Sequence, residues 1–204
     1  MLSETKLAAS KLNKTMEIVF ATSNPNKIEE INGLLPSSIR IIGLKDIGCT
    51  EDIPETPDTI EGNAIQKAQY VYDKYGINCF AEDTGLEIKA LDGAPGVYSA
   101  RYAGPQRNAD DNMAKVLTEM KEASDRSARF KTVIALIKDG NLTCFEGIVD
   151  GHIIERKKGE GGFGYDPIFK PVGYDQTFGE LSAAEKNKIS HRARATQKLI
   201  HYLK

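Results

Sequence analysis

The feature that most constrains this chain is a change in how its strand-like runs are joined. Ile18-Val19-Phe20-Ala21 and the run over residues 39–44 are short, apolar and partly β-branched, and helical patterns separate them from each other and from the next strand-like run at residues 77–81. Parallel neighbours need such crossovers, because a tight turn joins only antiparallel strands. Later, residues 129–137, 142–149 and 152–154 read as a meander turned at Asp139-Gly140 and Asp150-Gly151. A chain that uses both kinds of connection is expected to be an α/β protein built on a mixed sheet.

The helical stretches carry their own punctuation. Asn24 fits an N-cap with Pro25 at the first helical position, and Ile28, Ile31, Leu34 and Leu35 recur at helical spacing. A helix over residues 59–75 sets Ala64, Ala68, Val71 and Tyr75 near one face and stops at Gly76. Another is expected over residues 109–120. Ser182-Ala183-Ala184-Glu185 has the capping-box pattern, and Ser190-His191-Arg192 opens a last helix with Ala195, Leu199 and Leu203 inward. Residues 1–15 carry Lys6, Lys11 and Lys14 but neither periodicity nor the apolar core of a secretion signal, so they are expected to lie outside the fold, which would run over 16–204 as one domain. Met16 stands as an alternative start.

Composition removes several function classes. With 27 basic and 29 acidic residues the net charge is -2, so no global field recruits nucleic acid or an anionic membrane. No apolar run is long enough to span a bilayer. Cys49, Cys79 and Cys144 are scattered, which favours reduced core thiols and a cytoplasmic address over disulfides or a zinc site.

Four places carry chemistry. The polar turn Thr22-Ser23-Asn24-Pro25-Asn26-Lys27 sits between a strand and a helix N-terminus, where free amides and the dipole favour phosphate. Lys27 opposes that dipole unless an anion lies nearby. Ile77-Asn78-Cys79-Phe80-Ala81 reads as a strand emerging into a glycine turn, Glu82-Asp83-Thr84-Gly85, with residues 86–91 returning as a hairpin partner. Adjacent carboxylates at a buried strand end are costly unless paired or holding a cation, and adjacent strand residues face opposite ways, so one of the two is expected to face the ligand. Lys67 reads locally as a surface lysine. The third place, residues 161–169, has three glycines in four residues around Phe163, Gly164, Tyr165 and Asp166. It reads either as a tight turn with buried aromatics or as bare amides beside a ring for a ligand with a flat base and an anionic tail. The fourth is the basic C-terminal stretch with Lys186, His191 and Arg192. Phosphate, divalent cation and purine together use all four places, and nucleotide hydrolysis is the one chemistry that needs them all.

At these residues the chain resembles the inosine triphosphate pyrophosphatases. The resemblance rests on residues 21–27, Glu61-Gly62-Asn63-Ala64 with Lys67, residues 82–86, the arginine-bearing loop over 93–102, residues 161–169, and Ser190-His191-Arg192. Ser23 stands where the family often has glycine, and Glu82 where many members have aspartate. The resemblance implies an elongated, two-lobed α/β fold with an active cleft between the lobes, and a homodimer. It implies a purine nucleoside triphosphate substrate (ITP, dITP or XTP) cut to monophosphate and pyrophosphate with Mg²⁺, or Mn²⁺ in its place. Asp83 would be general base and metal ligand with Glu55 and Glu82. Residues 22–27, with Lys67 and Thr84, would hold the phosphates. Phe163 would stack on the base, with Gly164, Tyr165, Asp166, Lys186, His191 and Arg192 around its edge and sugar. A pyrophosphatase for pyrimidine or methylated nucleotides, and a non-catalytic nucleotide or RNA binder, are the alternatives to be separated from this reading.

Overall fold

The structure is a computed structural model and describes residues 15–204, so the expected N-terminal extension lies almost wholly outside the described residues. One six-stranded sheet runs in the order β2-β1-β3-β4-β5-β6, formed by Met16–Phe20 (β1), Ile39–Ile42 (β2), Cys79–Ile88 (β3), Ser127–Lys138 (β4), Asn141–Ile153 (β5) and Phe169–Pro171 (β6). β1 lies parallel to β2 and β3, while β3 to β6 are antiparallel, so the sheet is mixed as expected. The parallel joins use helix α1 (Pro25–Asn32) and helix α2 (Ile60–Tyr75). The β4–β5 hairpin turns at Asp139-Gly140, with φ of 51° and 79°.

Helix α2 covers one face of the sheet, where its Ala64, Ala68 and Val71 meet Ala81, Val133, Ala135 and Ile137. Helix α5 (His191–Leu203) covers the other, with Ala195, Leu199 and Leu203 against Phe80, Ile134, Leu136 and Phe145. This two-sided cover explains the unbroken apolar run Val133-Ile134-Ala135-Leu136-Ile137 in β4. A third apolar cluster gathers Leu86, Ile88, Phe130, Phe169 and Phe178 with Met113 and Val116 of helix α3 (Ala109–Glu119). Phe80, Glu82, Thr84 and Leu86 share one face of β3, so a polar belt separates two apolar clusters on that face.

Three expectations change. Glu82-Asp83-Thr84-Gly85 is no turn: β3 runs straight through it, paired to β4 from Cys79 to Ile88. Gly85 is there for closeness, since a Cβ would stand 2.5 Å from the Gly96 carbonyl oxygen. Asp150-Gly151 likewise lies within a continuous β5, where a Gly151 Cβ would meet the Lys170 carbonyl oxygen at 2.5 Å. Cys144 is exposed on β5, unlike the buried Cys49 and Cys79, and all three are free thiols.

Candidate active site

The turn after β1 is held by its own side chains. The Asn24 Oδ1 atom accepts from the backbone N–H of Asn26 at 3.0 Å and of Lys27 at 3.4 Å, and Thr22 Oγ1 accepts from the Asn24 N–H at 3.2 Å. Pro25 begins α1 where its missing N–H costs nothing. Lys27, one turn in, places its ammonium 3.1 Å from Glu82. Its anomaly against the dipole is thus offset by a carboxylate of the protein itself.

Glu82 and Asp83 are neighbours in sequence with opposite surroundings. Glu82 points into the belt beneath α5, where Arg192 grips both its oxygens, Nε to Oε2 at 2.8 Å and Nη2 to Oε1 at 2.9 Å. Burial alone would raise its pKa, but Arg192 and then Lys27 outweigh it and hold the carboxyl down at about 2. Asp83 points to the α2 side and meets Lys67, whose Nζ donates to Oδ1 at 3.0 Å. Lys67 is buried, with 7 % of its surface exposed, so the local reading of it as a surface lysine is overturned. Sixteen residues of helix carry it beneath the sheet, a placement that its immediate neighbours do not encode.

Lys67 also donates to Glu55 at 2.8 Å. Glu55 comes from an acidic, proline-rich loop over residues 49–58, which is fastened to α2 at two points. Glu51 accepts from Tyr70 and Tyr75 hydroxyls at 3.1 and 3.2 Å and pairs with Lys74. The Thr56 N–H donates to Gln66 Oε1 at 2.9 Å, and Thr56 Oγ1 accepts from Gln66 Nε2 at 2.8 Å. One ammonium therefore serves two carboxylates. Burial would raise the Glu55 pKa, yet Lys67, aided by Lys27 and Arg107, more than offsets this and the group ends below its usual value. Burial of Asp83 is only partly offset by Lys67 and Lys27, so its carboxyl ends above the usual range. Two adjacent acids with pKa values pushed apart is the arrangement of a base beside a structural charge.

On the far side of β3 the glycine loop and the C-terminal helices converge. Asp166 is buried and accepts from Lys186 at 2.7 Å and from the Phe163 N–H at 2.7 Å. Gly162 makes room for this, since a Cβ there would lie 2.1 Å from Asp166 Oδ2 and its φ is 72°. The Phe163 ring is half-buried, with Lys186 Nζ 4.9 Å and Arg192 Cζ 5.3 Å from its centroid. Lys186 and Arg192 both pair with Glu30 of α1, Lys186 at 2.6 Å. His191 stacks on Phe130 at 4.5 Å with its Nδ1 buried and unpartnered among the described residues. Burial, then Arg192 and Lys186, push its pKa well below the ordinary value, so the imidazole is neutral.

Of the residues singled out in sequence, Asp83, Lys67 and Glu55 meet on the α2 side, and Lys27, Glu82, Arg192, Lys186, Asp166 and Phe163 on the other. Thr84 joins the belt, with its Oγ1 2.6 Å from Thr132 and 3.4 Å from Arg192 Nη2. The Tyr165 side chain does not join: its ring lies in the apolar cluster and its hydroxyl donates to the Ser99 carbonyl at 2.7 Å. Glu82 is not beside Glu55 and Asp83 as a third oxygen ligand, because Arg192 and Lys27 occupy it.

A family model for the Ham1 family matches residues 18–202, nearly the whole described chain. The chain belongs to the Ham1 family. It is 60% identical over 188 residues to a dITP/XTP pyrophosphatase of Flavobacterium johnsoniae, covering 92% of this chain and 98% of that protein. It is 51% identical to the dITP/XTP pyrophosphatase of Porphyromonas gingivalis, over 92% of this chain and 97% of that one. Among solved structures, the Ham1 protein of Staphylococcus aureus superposes with a TM-score of 0.85 at 39% identity, covering 92% of this chain and 97% of that one. The α/β fold read from the sequence is thus the Ham1 fold.

Two residues of this candidate site carry little signal in the sequence. Glu30 lies three positions after Lys27 on α1, so the two share a helix face, and that spacing is the available clue. Thr132, fully buried in β4, carries no signal outside its strand pairing with Thr84.

Proposed function

We propose that this protein hydrolyses deaminated purine nucleoside triphosphates (ITP, dITP and XTP) to the monophosphate and pyrophosphate, removing damaged purines from the nucleotide pool. The observation that carries the reading is the division of labour at Glu82 and Asp83. One face of β3 gathers fixed cations and a half-buried ring suited to a base, and the other a basic carboxylate beside a buried ammonium suited to a phosphate. The relatives named dITP/XTP pyrophosphatases support the substrate class.

In this reading the base rests on Phe163 with Lys186 and Arg192 at its edge, and the phosphates pass Lys27 and cross β3 toward Lys67. An active cleft between two lobes belongs to the same reading and rests on the family resemblance, since the belt residues Glu82, Thr132 and Arg192 are themselves buried. Donors fixed at the 6-oxo edge reject adenine, whose amino group leaves them unpaired at a cost of roughly 1–3 kcal/mol. Asp83 takes the proton of the water that attacks the α-phosphorus, and its raised pKa suits a base. Lys67 and Lys27 neutralise the departing pyrophosphate.

A divalent cation fits here. Glu55 and Asp83 offer hard oxygens on either side of Lys67, though the described residues hold no cluster of three metal-binding side chains. That is the donor set of Mg²⁺, which commonly takes one or two carboxylates and leaves its other positions to phosphate oxygens and water. Bound there, Mg²⁺ (or Mn²⁺) supplies positive charge to the phosphate oxygens. Among the described residues no helix is long and apolar enough to cross a membrane. A cytoplasmic homodimer is part of the same reading: the address rests on the scattered free cysteines and the dimer on the family resemblance.

The test is anion-exchange separation of products from ATP, GTP, ITP, dITP, XTP, UTP and dTTP, with and without Mg²⁺. Pyrophosphate from ITP, dITP and XTP, with ATP cut at least about a hundredfold less efficiently, is expected. Release of diphosphate and orthophosphate would overturn the bond assignment, and turnover confined to UTP or dTTP would overturn the base assignment.

A further inference from the structure

One charge in the arginine-bearing loop has no task in that reaction. Arg101 ends the 3₁₀ turn Gly96–Arg101, and that turn is built into β3, the strand that carries Asp83. Gly85 admits the Gly96 carbonyl to the strand's surface, where any side chain would collide with it. Next along the strand, the Leu86 N–H donates to Ser99 Oγ at 2.9 Å, and Ser99 Oγ donates to the Gly96 carbonyl at 2.6 Å. From the outside, the buried Asn112 of α3 closes both ends of the turn's exit, donating to the Ala100 carbonyl at 3.1 Å and accepting from the Ala103 N–H at 2.7 Å. The Tyr165 hydroxyl holds the Ser99 carbonyl, which ties the glycine loop to the same turn.

A scaffold of buried polar groups this complete fixes where the next side chain starts. Arg101 then leaves the scaffold half-buried, its side chain 30% exposed, and lies over the Tyr98 ring at 5.3 Å. Its nearest carboxylate oxygen is Glu55 Oε2 at 3.6 Å, an ion pair too long to be a hydrogen bond. Glu55 gives its other oxygen to Lys67, and Lys67 reaches Asp83, so the four side chains form one line with Asp83 and Arg101 at its ends. A guanidinium with donors to spare, aimed at a site by rigid backbone, matches the forked geometry of phosphate oxygens.

We infer that Arg101 is the cation that receives the pyrophosphate end of the triphosphate, at the opposite end of the site from the base. The inference rests on the pyrophosphatase reading and deepens it. Asp83 acts at the α-phosphorus, so the β- and γ-phosphates extend along the line toward Glu55 and Arg101. Arg101 would bind pyrophosphate directly and hold it as the leaving group.

The experiment titrates inorganic pyrophosphate, with Mg²⁺, into the wild-type chain and into Arg101→Ala and Arg101→Lys by calorimetry, with IMP as the second probe. Arg101→Ala should weaken pyrophosphate binding roughly ten- to a hundredfold, the loss of a charge-assisted pair, with IMP affinity and melting temperature unchanged. Arg101→Lys should recover only part of it, because an ammonium lacks the fork. Equal pyrophosphate affinity in wild type and Arg101→Ala, or equal losses for pyrophosphate and IMP, would overturn the assignment, as would a wild-type chain that binds no pyrophosphate. Should Arg101→Ala fail to fold, Arg101→Lys and Arg101→Gln carry the same comparison. Product separation on the wild type judges the parent reading independently. Pyrophosphate release with a flat Arg101 titration removes Arg101 alone, and orthophosphate release removes the parent reaction.

Discussion

The two sides of β3 solve one problem in opposite ways. Both bury a carboxylate from consecutive positions, Glu82 and Asp83, and both supply cations. On the α5 side Glu82 receives two fixed partners, and Arg192 is so enclosed that 1% of its surface is exposed. On the α2 side Asp83 receives one ammonium that it must share with Glu55. The first carboxylate is over-supplied with charge and the second under-supplied. The difference supports the proposed roles, Glu82 as fixture and Asp83 as base: a carboxylate held at about 2 makes a poor base, while one above its usual range is poised to accept a proton.

The largest effect should come from breaking the fixture. Glu82→Gln leaves Arg192 buried with Glu30 as its remaining carboxylate and loosens the attachment of α5 and α1 to the sheet. Removing one partner of a buried pair costs about 3–5 kcal/mol, which urea unfolding would read directly. Wild-type stability in Glu82→Gln would erase the distinction between the two faces.

Asp83→Asn should do the reverse. Turnover of dITP should fall by about two orders of magnitude or more, as for loss of a general base, while unfolding changes far less. The two acids also separate on the pH axis. Glu82, with its folded pKa depressed from 4.5 to about 2, contributes stability above pH 4.5 that is lost as pH falls through about 2. Asp83 has the opposite sign, since its folded pKa is raised and its protonated form is the one the fold favours. As pH falls from 7, turnover should therefore fail before the fold does. Activity and circular dichroism measured on the same acid series check this, and coincident losses would show that the two carboxylates are not distinct.

How much of this is written in the sequence depends on the range of each interaction. Caps are local, and Asn24, Ser182 and Ser190 each cap the helix that their spacing announces. The mixed sheet is legible because connection length limits strand direction. Glycines mislead at Gly85 and Gly151, where the residue serves a close approach from a distant segment and not a turn. Lys67 misleads for the same reason, and Glu30 carries little signal of its own. Their partners lie 16 and 162 positions away, Asp83 for the first and Arg192 for the second, so their pairing is a property of packing that no local pattern carries.

The smallest expected effect tests the base side without disturbing its fixture. Phe163 touches the network chiefly through its ring, which sits near Lys186 and Arg192 while both cations keep their carboxylates. Phe163→Ala should therefore leave stability and kcat nearly unchanged. It should raise the KM for ITP and weaken IMP binding alike, by about tenfold, the low end of what a base–aromatic stack contributes. Pyrophosphate affinity should stay at the wild-type value, because in the proposed pose the β- and γ-phosphates lie across the strand, toward Lys67 and Arg101. A loss shared by pyrophosphate would mean that the two faces of β3 are coupled through the ring, and an unchanged KM would make Phe163 a packing residue of the glycine loop.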